Sequence, residues 1–513
     1  MRMPERMLPP GLVMWPAGTA RKNRLCVLIS DIHCTDCTVG NQTASETDWQ
    51  LFFEQMEFAV GNPGDRAQAP ADRRIDELLL ILNGDIVDLI RTSKWAAAGV
   101  YPWQRDDPRF ADIVVATMRD IVDIHAKKRP QDSEQPYSGF FYWMRESLDR
   151  LRKDGIAVTV VPIVGNHDKE LQVVPAARQM FYEECLGIDA LSISDAYRAW
   201  VAAQMGTSEA DMYPHMPFYF ADTGLRLLAT HGQWRDQDNA RATARWKLSH
   251  GWQPQAWKEE QYRAFSDPCF GDTVASGMLS RFIWKMASSI DRQMQGANRI
   301  CNLLDEMDLY RPSVGAVVRL LHESWRMAIR TPEARGLHNE VLRCFRESLV
   351  GWISHDETWN SASLSRKFGL CVLKVLSKIK WYPLEITLMR MMAKMQEPES
   401  DIKESTLAGL PAFQPAYRML GLRLHVEGHT HVALEADMQF QQPREGRNNY
   451  TYINLGAWRD AIVQKRNRGY RRRGVGRALF IFDLARQTPH VPDDAYRFYA
   501  RDMTSWGDRM DSW

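Results

Sequence analysis

Residues 25–33 read Leu25-Cys26-Val27-Leu28-Ile29-Ser30-Asp31-Ile32-His33. The unbroken apolar run predicts a strand buried on both faces, as in a parallel sheet, and the polar end predicts the loop beyond it. In that end Asp31 and His33 stand two residues apart, so on extended backbone both point the same way. The layout then recurs down the chain. Leu78 to Leu82 runs into Asn83-Gly84-Asp85-Ile86-Val87-Asp88, and Val158 to Val164 into Gly165-Asn166-His167-Asp168. Leu225 to Ala229 runs into Thr230-His231-Gly232, and Leu422 to Val426 into Glu427-Gly428-His429-Thr430-His431. Pro162 inside the third run predicts an edge strand or a bulge, because proline has no N–H for the ladder.

Taken alone, a histidine after a strand is more often a loop or core residue than a ligand. Five strands that all deliver imidazole, carboxylate or carboxamide groups at their carboxyl ends are another matter, since ligand sites of α/β sheets lie outside those ends. Asp31, His33, Asp85, Asn166, His231, His429 and His431 make seven candidate donors, more than one ion needs and suited to two. Nitrogen and oxygen donors without a thiolate suit manganese first, with iron, zinc or cobalt as alternatives, and argue against a closed all-cysteine zinc site. Two such ions roughly 3.5 to 4 Å apart neutralise phosphoryl oxygens and acidify a bridging water, which makes hydroxide the nucleophile near neutral pH.

These blocks resemble the calcineurin-like metallophosphoesterase superfamily, whose motifs run D-x-H, G-D-x-x-D/E, G-N-H-D/E, H and G-H-x-H. The chain carries them in that order as Asp31-Ile32-His33, Gly84-Asp85-Ile86-Val87-Asp88, Gly165-Asn166-His167-Asp168, His231 and Gly428-His429-Thr430-His431. The resemblance covers residues 22 to 235 and 415 to 485. It implies an α/β fold, a two-sheet sandwich flanked by helices, with a large mainly helical insertion. It also implies that Asp31, His33, Asp85 and His431 hold one metal, and that Asp85, Asn166, His231 and His429 hold the other, with Asp85 bridging. His167, beside Asn166 but assigned to no metal, looks like the family's acid or transition-state donor. Asp88 or Asp168 would orient it, or would cap loops instead; the two readings weigh evenly.

The run from Thr230 to Asn239 and the stretch Tyr450 to Arg459 are similar to the branch containing the UDP-2,3-diacylglucosamine pyrophosphohydrolases, in which a helical lid interrupts the chain at the same place. One departure separates them: those enzymes usually carry arginine where this chain has His167.

Composition limits the remaining choices. The chain has 513 residues, 65 Lys plus Arg against 64 Asp plus Glu, and a formal charge of +1, so its overall electrostatics give no reason to expect a nucleic-acid partner. Eight scattered cysteines in so long a chain do not make a disulfide framework and fit a reducing cytoplasm. Cys34 and Cys37 have redox-pair spacing without a second pair, and are read as incidental. No apolar run reaches the roughly 18 residues of a bilayer-crossing helix. The expected organisation is a loose leader over 1–21, a core in two parts at 22–235 and 415–485, a helical insertion at 236–414 and a tail at 486–513.

About 200 residues separate His231 from His429, far more than a loop between strands needs, so the insertion is a second structural unit. Val314 to Ile329 is a candidate helix. Leu364, Phe368, Cys371, Val372, Val375, Leu376 and Ile379 fall at helical spacing with basic residues off the stripe. That pattern is read mainly as a core-facing helix, and secondarily as a lid over a lipid-like substrate or a helix on an anionic membrane.

Lys465, Arg466, Arg468, Arg471, Arg472, Arg473 and Arg477 crowd the segment between candidate strands at Tyr450 to Leu455 and Ala478 to Leu484. They would grip phosphate of a nucleotide, nucleic acid or anionic lipid, or form a solvated hairpin tip. The expectation that follows is a two-metal phosphodiester or pyrophosphate hydrolase, cytoplasmic or peripheral to a membrane, with a lipid- or nucleotide-linked substrate. A phosphomonoesterase, a nuclease or a catalytically silent binding module is the alternative.

Overall fold

The structure is a computed structural model that describes residues 13–16, 23–40, 44–62, 75–129, 139–205, 211–236, 238–240, 266–311, 314–376, 404–442, 446–459, 461–464, 470–473, 476–483, 496–502 and 509–510. Its apolar runs become strands β1 (Arg24–Ile29), β2 (Glu77–Asn83), β3 (Ala157–Ile163), β4 (Tyr219–Asp222), β5 (Leu227–Thr230), β6 (Tyr310–Arg311), β7 (Leu424–Glu427), β8 (Leu434–Gln442), β9 (Gly446–Asn454), β10 (Ala461–Gln464), β11 (Tyr470–Arg473), β12 (Arg477–Asp483), β13 (Tyr496–Asp502) and β14 (Arg509–Met510).

Two five-stranded mixed sheets form the centre, in the orders β13-β12-β1-β2-β3 and β4-β5-β7-β9-β8. In the first, β1, β2 and β3 are parallel and β12 runs antiparallel to β1. In the second, β5, β7 and β9 are parallel between antiparallel outer strands. The architecture is therefore α/β and consistent with a sandwich. Pro162 lies on edge strand β3, where its missing N–H costs least. The fourth run is displaced from its expected bounds: Leu225 and Arg226 belong to a turn, with Arg226 at φ 50°, and the strand begins at Leu227.

Helices α1 (Glu46–Gly61), α2 (Arg109–His125) and α3 (Phe140–Lys153) join both sheets in one apolar core, through Phe52, Phe53, Met118 and Phe140 among others. Ser45 starts α1 with a capping box: its hydroxyl accepts from Asp48 N–H, and the Asp48 carboxylate accepts from Ser45 N–H. At the opposite ends of the parallel strands, backbone bonds lace the loops together. Asp31 N–H donates to Gly84 O, His33 N–H to Asp85 O, and Gly428 N–H to His231 O.

The insertion has its own apolar core, built on α4 (Arg281–Ser289), α5 (Ala297–Asp305), α6 (Val314–Arg330), α7 (Arg335–Ser354) and α8 (Leu364–Leu376), with Phe282, Leu320, Phe345 and Trp352 inside it. Helix α8 corrects the sequence reading. Leu370 and Leu373 are its buried residues, whereas Leu364, Phe368 and Val375 are 87%, 73% and 61% exposed and Cys371 is exposed with them. The predicted stripe faces outward because the helix has a second apolar edge, which docks in the insertion's core. Ile379 lies outside the described residues.

Three further expectations change. Arg471, Arg472 and Arg473 form β11, antiparallel to β10 in a four-stranded sheet ordered β14-β11-β10-β6, so these three arginines are strand residues of a sheet that reaches the insertion's β6 through β10. Lys465, Arg466 and Arg468 lie outside the described residues. The supposed tail supplies β13, paired with β12, and β14. Within the supposed leader, Trp15 N–H donates to Ala221 O and its ring packs edge-on against Trp200. Residues 1–12 and 17–21 lie outside the described residues. No helix among the described residues is long and apolar enough to cross a membrane.

Candidate metal centre

The loops after β1, β2, β3, β5 and β7 bring all seven candidate donors to one place. Asp31, His33, Asp85 and His431 form one group of converging ligand atoms, and Asp85, His231 and His429 form another that shares Asp85. Asn166 joins the second through its Oδ1, 3.0 Å from His429 Nδ1. In the first group His33 Nε2 lies 3.1 Å from His431 Nε2, 3.6 Å from Asp85 Oδ2 and 3.9 Å from Asp31 Oδ1. His431 Nε2 is 3.3 Å from Asp31 Oδ1.

The backbone is forced into unusual shapes to achieve this. Seven non-glycine residues have φ between 50° and 69° among those described, and five of them are Asp31, His33, Asp85, His429 and His431. Left-handed backbone costs roughly 1–2 kcal/mol for an L-residue, so its concentration on ligand candidates marks a place where geometry overrides local preference. Two motif glycines have an equally local cause. A Cβ at Gly165 would collide with Asp85 Oδ1, and one at Gly428 would collide with Ser30 Oγ and Asp31 Oδ2.

The donor chemistry fits a cation. His231 Nδ1 is 2.9 Å from Asn83 O, so it carries the hydrogen and Nε2 carries a lone pair. That Nε2 is buried and sits 3.2 Å from Asp85 Oδ2 without a hydrogen bond of acceptable angle between them. A lone pair facing a carboxylate calls for a positive charge. Burial works against a charged His231, but Asp85 and Asp31 prevail and raise its pKa to about 10. Burial likewise pushes the Asp31 and Asp85 carboxyls up, yet the neighbouring histidines, His231 first, hold both well below the ordinary value. These buried groups are able to hold metal ions.

His167 points its Nδ1 at Asp88 Oδ1, 2.9 Å away, and the other Asp88 oxygen is 3.3 Å from His33 Nδ1. One buried carboxylate thus sets the orientation of two imidazoles. Burial acts to lower the His167 pKa, but the Asp88 and Asp85 charges prevail and raise it. Asp168 has a different position: its oxygens accept from the N–H groups of Gly165 and Ile86, which clamps the loop. Burial, helped by the Asp85 charge, lifts the Asp168 pKa to about 7. Arg471, Arg472 and Arg473 lie in the sheet that reaches the insertion's β6 through β10.

Three polar residues at the site were not assigned roles from sequence. Asp236 Oδ2 stands 3.2 Å from His429 Nε2. Arg459 is buried; burial lowers its pKa against the charges of Asp88, Asp31 and Asp85. Glu427 is buried at the end of β7 and paired with Arg235. A charged residue closing an otherwise apolar strand was the available signal for Glu427. Cavities of about 450 and 380 Å³ open elsewhere, around Arg145 and Tyr182, and no candidate ligand lines either.

No family model, curated protein or solved structure matches the chain.

Proposed function

We propose that this protein is a two-metal hydrolase of a phosphodiester or pyrophosphate bond, built on the metallophosphoesterase plan that its five motif blocks resemble. The observation that carries the reading is the sharing of Asp85 between two groups of converging ligands. Asp31, His33, Asp85 and His431 would hold one ion, and Asp85, Asn166, His231 and His429 the other, with manganese the first choice for this oxygen and nitrogen set. Bound there, the ions would neutralise phosphoryl oxygens and supply hydroxide near neutral pH.

The side chains do the rest. As an imidazolium, His167 uses its Nδ1–H on Asp88 and keeps its Nε2–H to donate to the leaving oxygen. Asp88 holds His33 as well, so the rotamers of a ligand and of the acid are fixed by one carboxylate. Asp168 keeps the turn between them closed.

A lipid-linked substrate is favoured by α8. Its exposed ridge of Leu364, Phe368 and Val375 is tied to the loop beyond His231, because Arg366 donates to Asp238 Oδ2 from Nε at 3.1 Å and Nη2 at 2.5 Å. Asp238 is two residues from Asp236, which touches His429. An apolar surface is thus anchored beside the ligand loop. A turnover panel of bis-p-nitrophenyl phosphate, p-nitrophenyl phosphate and a UDP-sugar lipid tests the proposal. Diester or pyrophosphate turnover is expected, and turnover of the monoester alone would defeat it.

A further inference from the structure

Burying a carboxylate is unfavourable unless donors surround it. Glu427 is fully buried and has them: Arg235 Nε reaches Oε1 at 3.1 Å, Arg235 Nη2 reaches Oε2, Tyr452 Oη donates to Oε2 at 3.1 Å, and His425 Nε2 stands 3.0 Å from Oε1. Arg235 is only 17% exposed, so this is no surface ion pair. The partners are 192 positions apart: Arg235 lies in the loop that carries His231, and Glu427 ends β7, two residues before His429. Beyond Arg235 the chain delivers Asp236 to His429 Nε2, and beyond Glu427 it delivers His429 itself. Asn454 closes the arrangement by donating from Nδ2 to Gly428 O at 2.6 Å.

We infer that the Arg235–Glu427 pair is the brace of one half of the metal centre: it joins the His231 loop to the His429 strand and seats Asp236 against His429. The inference rests on the two-metal reading above and adds positioning residues that act through His231, His429 and Asp236. The other half is held separately. Ser30 Oγ donates to Asp31 Oδ2 at 2.6 Å, Asp88 holds His33, and His431 Nε2 lies 3.3 Å from Asp31 Oδ1 and 3.1 Å from His33 Nε2, all without Glu427. His431 is therefore expected to keep its place when the brace is cut. A bidentate, buried Arg–carboxylate pair is suited to this task because its planar geometry fixes both direction and distance.

The test is manganese binding to the intact metal-free protein, followed by calorimetry and by the spin-coupling signature of paired Mn²⁺ ions. The wild-type chain should bind two ions. Glu427→Gln should keep one at wild-type affinity, bind the second about 10- to 100-fold more weakly and lose the coupled signal at ions added stoichiometrically. Two unchanged ions, or equal weakening of both, in a variant with wild-type circular dichroism would overturn the brace and leave the two-metal reading standing. Fewer than two ions in the wild-type protein would overturn that reading and the brace with it. If Glu427→Gln does not fold, Arg235→Lys, which keeps the charge but not the two-pronged grip, is judged by the same outcomes.

Discussion

The strand-end loops bury charged and imidazole groups: Asp31, Asp85, Asp88 and His231 are sealed from solvent on backbone that is partly left-handed. The insertion is built on an apolar core, with Phe282, Leu320, Phe345 and Trp352 inside it, and it leaves an apolar ridge outside. Each region thus departs from the ordinary inside-outside distribution of residues in its own way. On the proposed reading the buried polar groups share cations and the exposed apolar ridge meets substrate. The difference also predicts separate sensitivities: the loops should respond to charge and protonation, the insertion to volume.

The largest stability effect expected is on the insertion. Trp352 is buried among α7 and its neighbours, with Nε1 bonded to Thr273 Oγ1, so Trp352→Ala should destabilise the unit by about 3–5 kcal/mol. Denaturant melts would show that loss, and metal content should not change. Loss of metal together with packing would erase the division between the regions.

Next comes acid sensitivity in the core. Burial pulls the His125 pKa down from 6.5 to about 4, although Nε2 donates to Thr35 O at 2.9 Å beside the first ligand loop. The unfolded chain then binds the extra proton first, so stability is full above pH 6.5 and falls as the pH drops toward 4, by about 3 kcal/mol. Melts between pH 7 and pH 4 should be flatter for His125→Gln; an identical slope would remove His125 as the cause.

His167→Ala should lower turnover by roughly 100-fold with metal content kept. Metal lost with the activity would make His167 structural. Smallest of all, Phe368→Ser on the exposed ridge should shift stability by less than about 0.5 kcal/mol. It should still lower turnover of a lipid-tailed substrate relative to a soluble diester, and equal turnover of both would separate α8 from substrate binding.

Much of the core could be read from residues alone because its signal is local. Leu25 to Ile29 is followed at once by Asp31 and His33, and the same short-range rule locates Asp85, Asn166, His231 and the His429–His431 pair. What escaped the reading is set by distant pairings. Tyr310 lies beside Ile462, and Arg235 beside Glu427, with nothing in either segment to announce the other. The orientation of α8 escaped for another reason. Leu364–Phe368–Val375 and Leu370–Leu373 are both apolar, so periodicity shows two edges and only the packing against the insertion's core selects one.

Whether Asp85 serves two ions at once is decided by elemental analysis of the wild-type protein beside Asp85→Asn, with diester turnover measured after adding manganese, zinc or iron. About two ions per chain are expected in the wild type, reduced in the variant together with activity. No metal and no turnover under any addition would contradict it and turn the chain into a binding module.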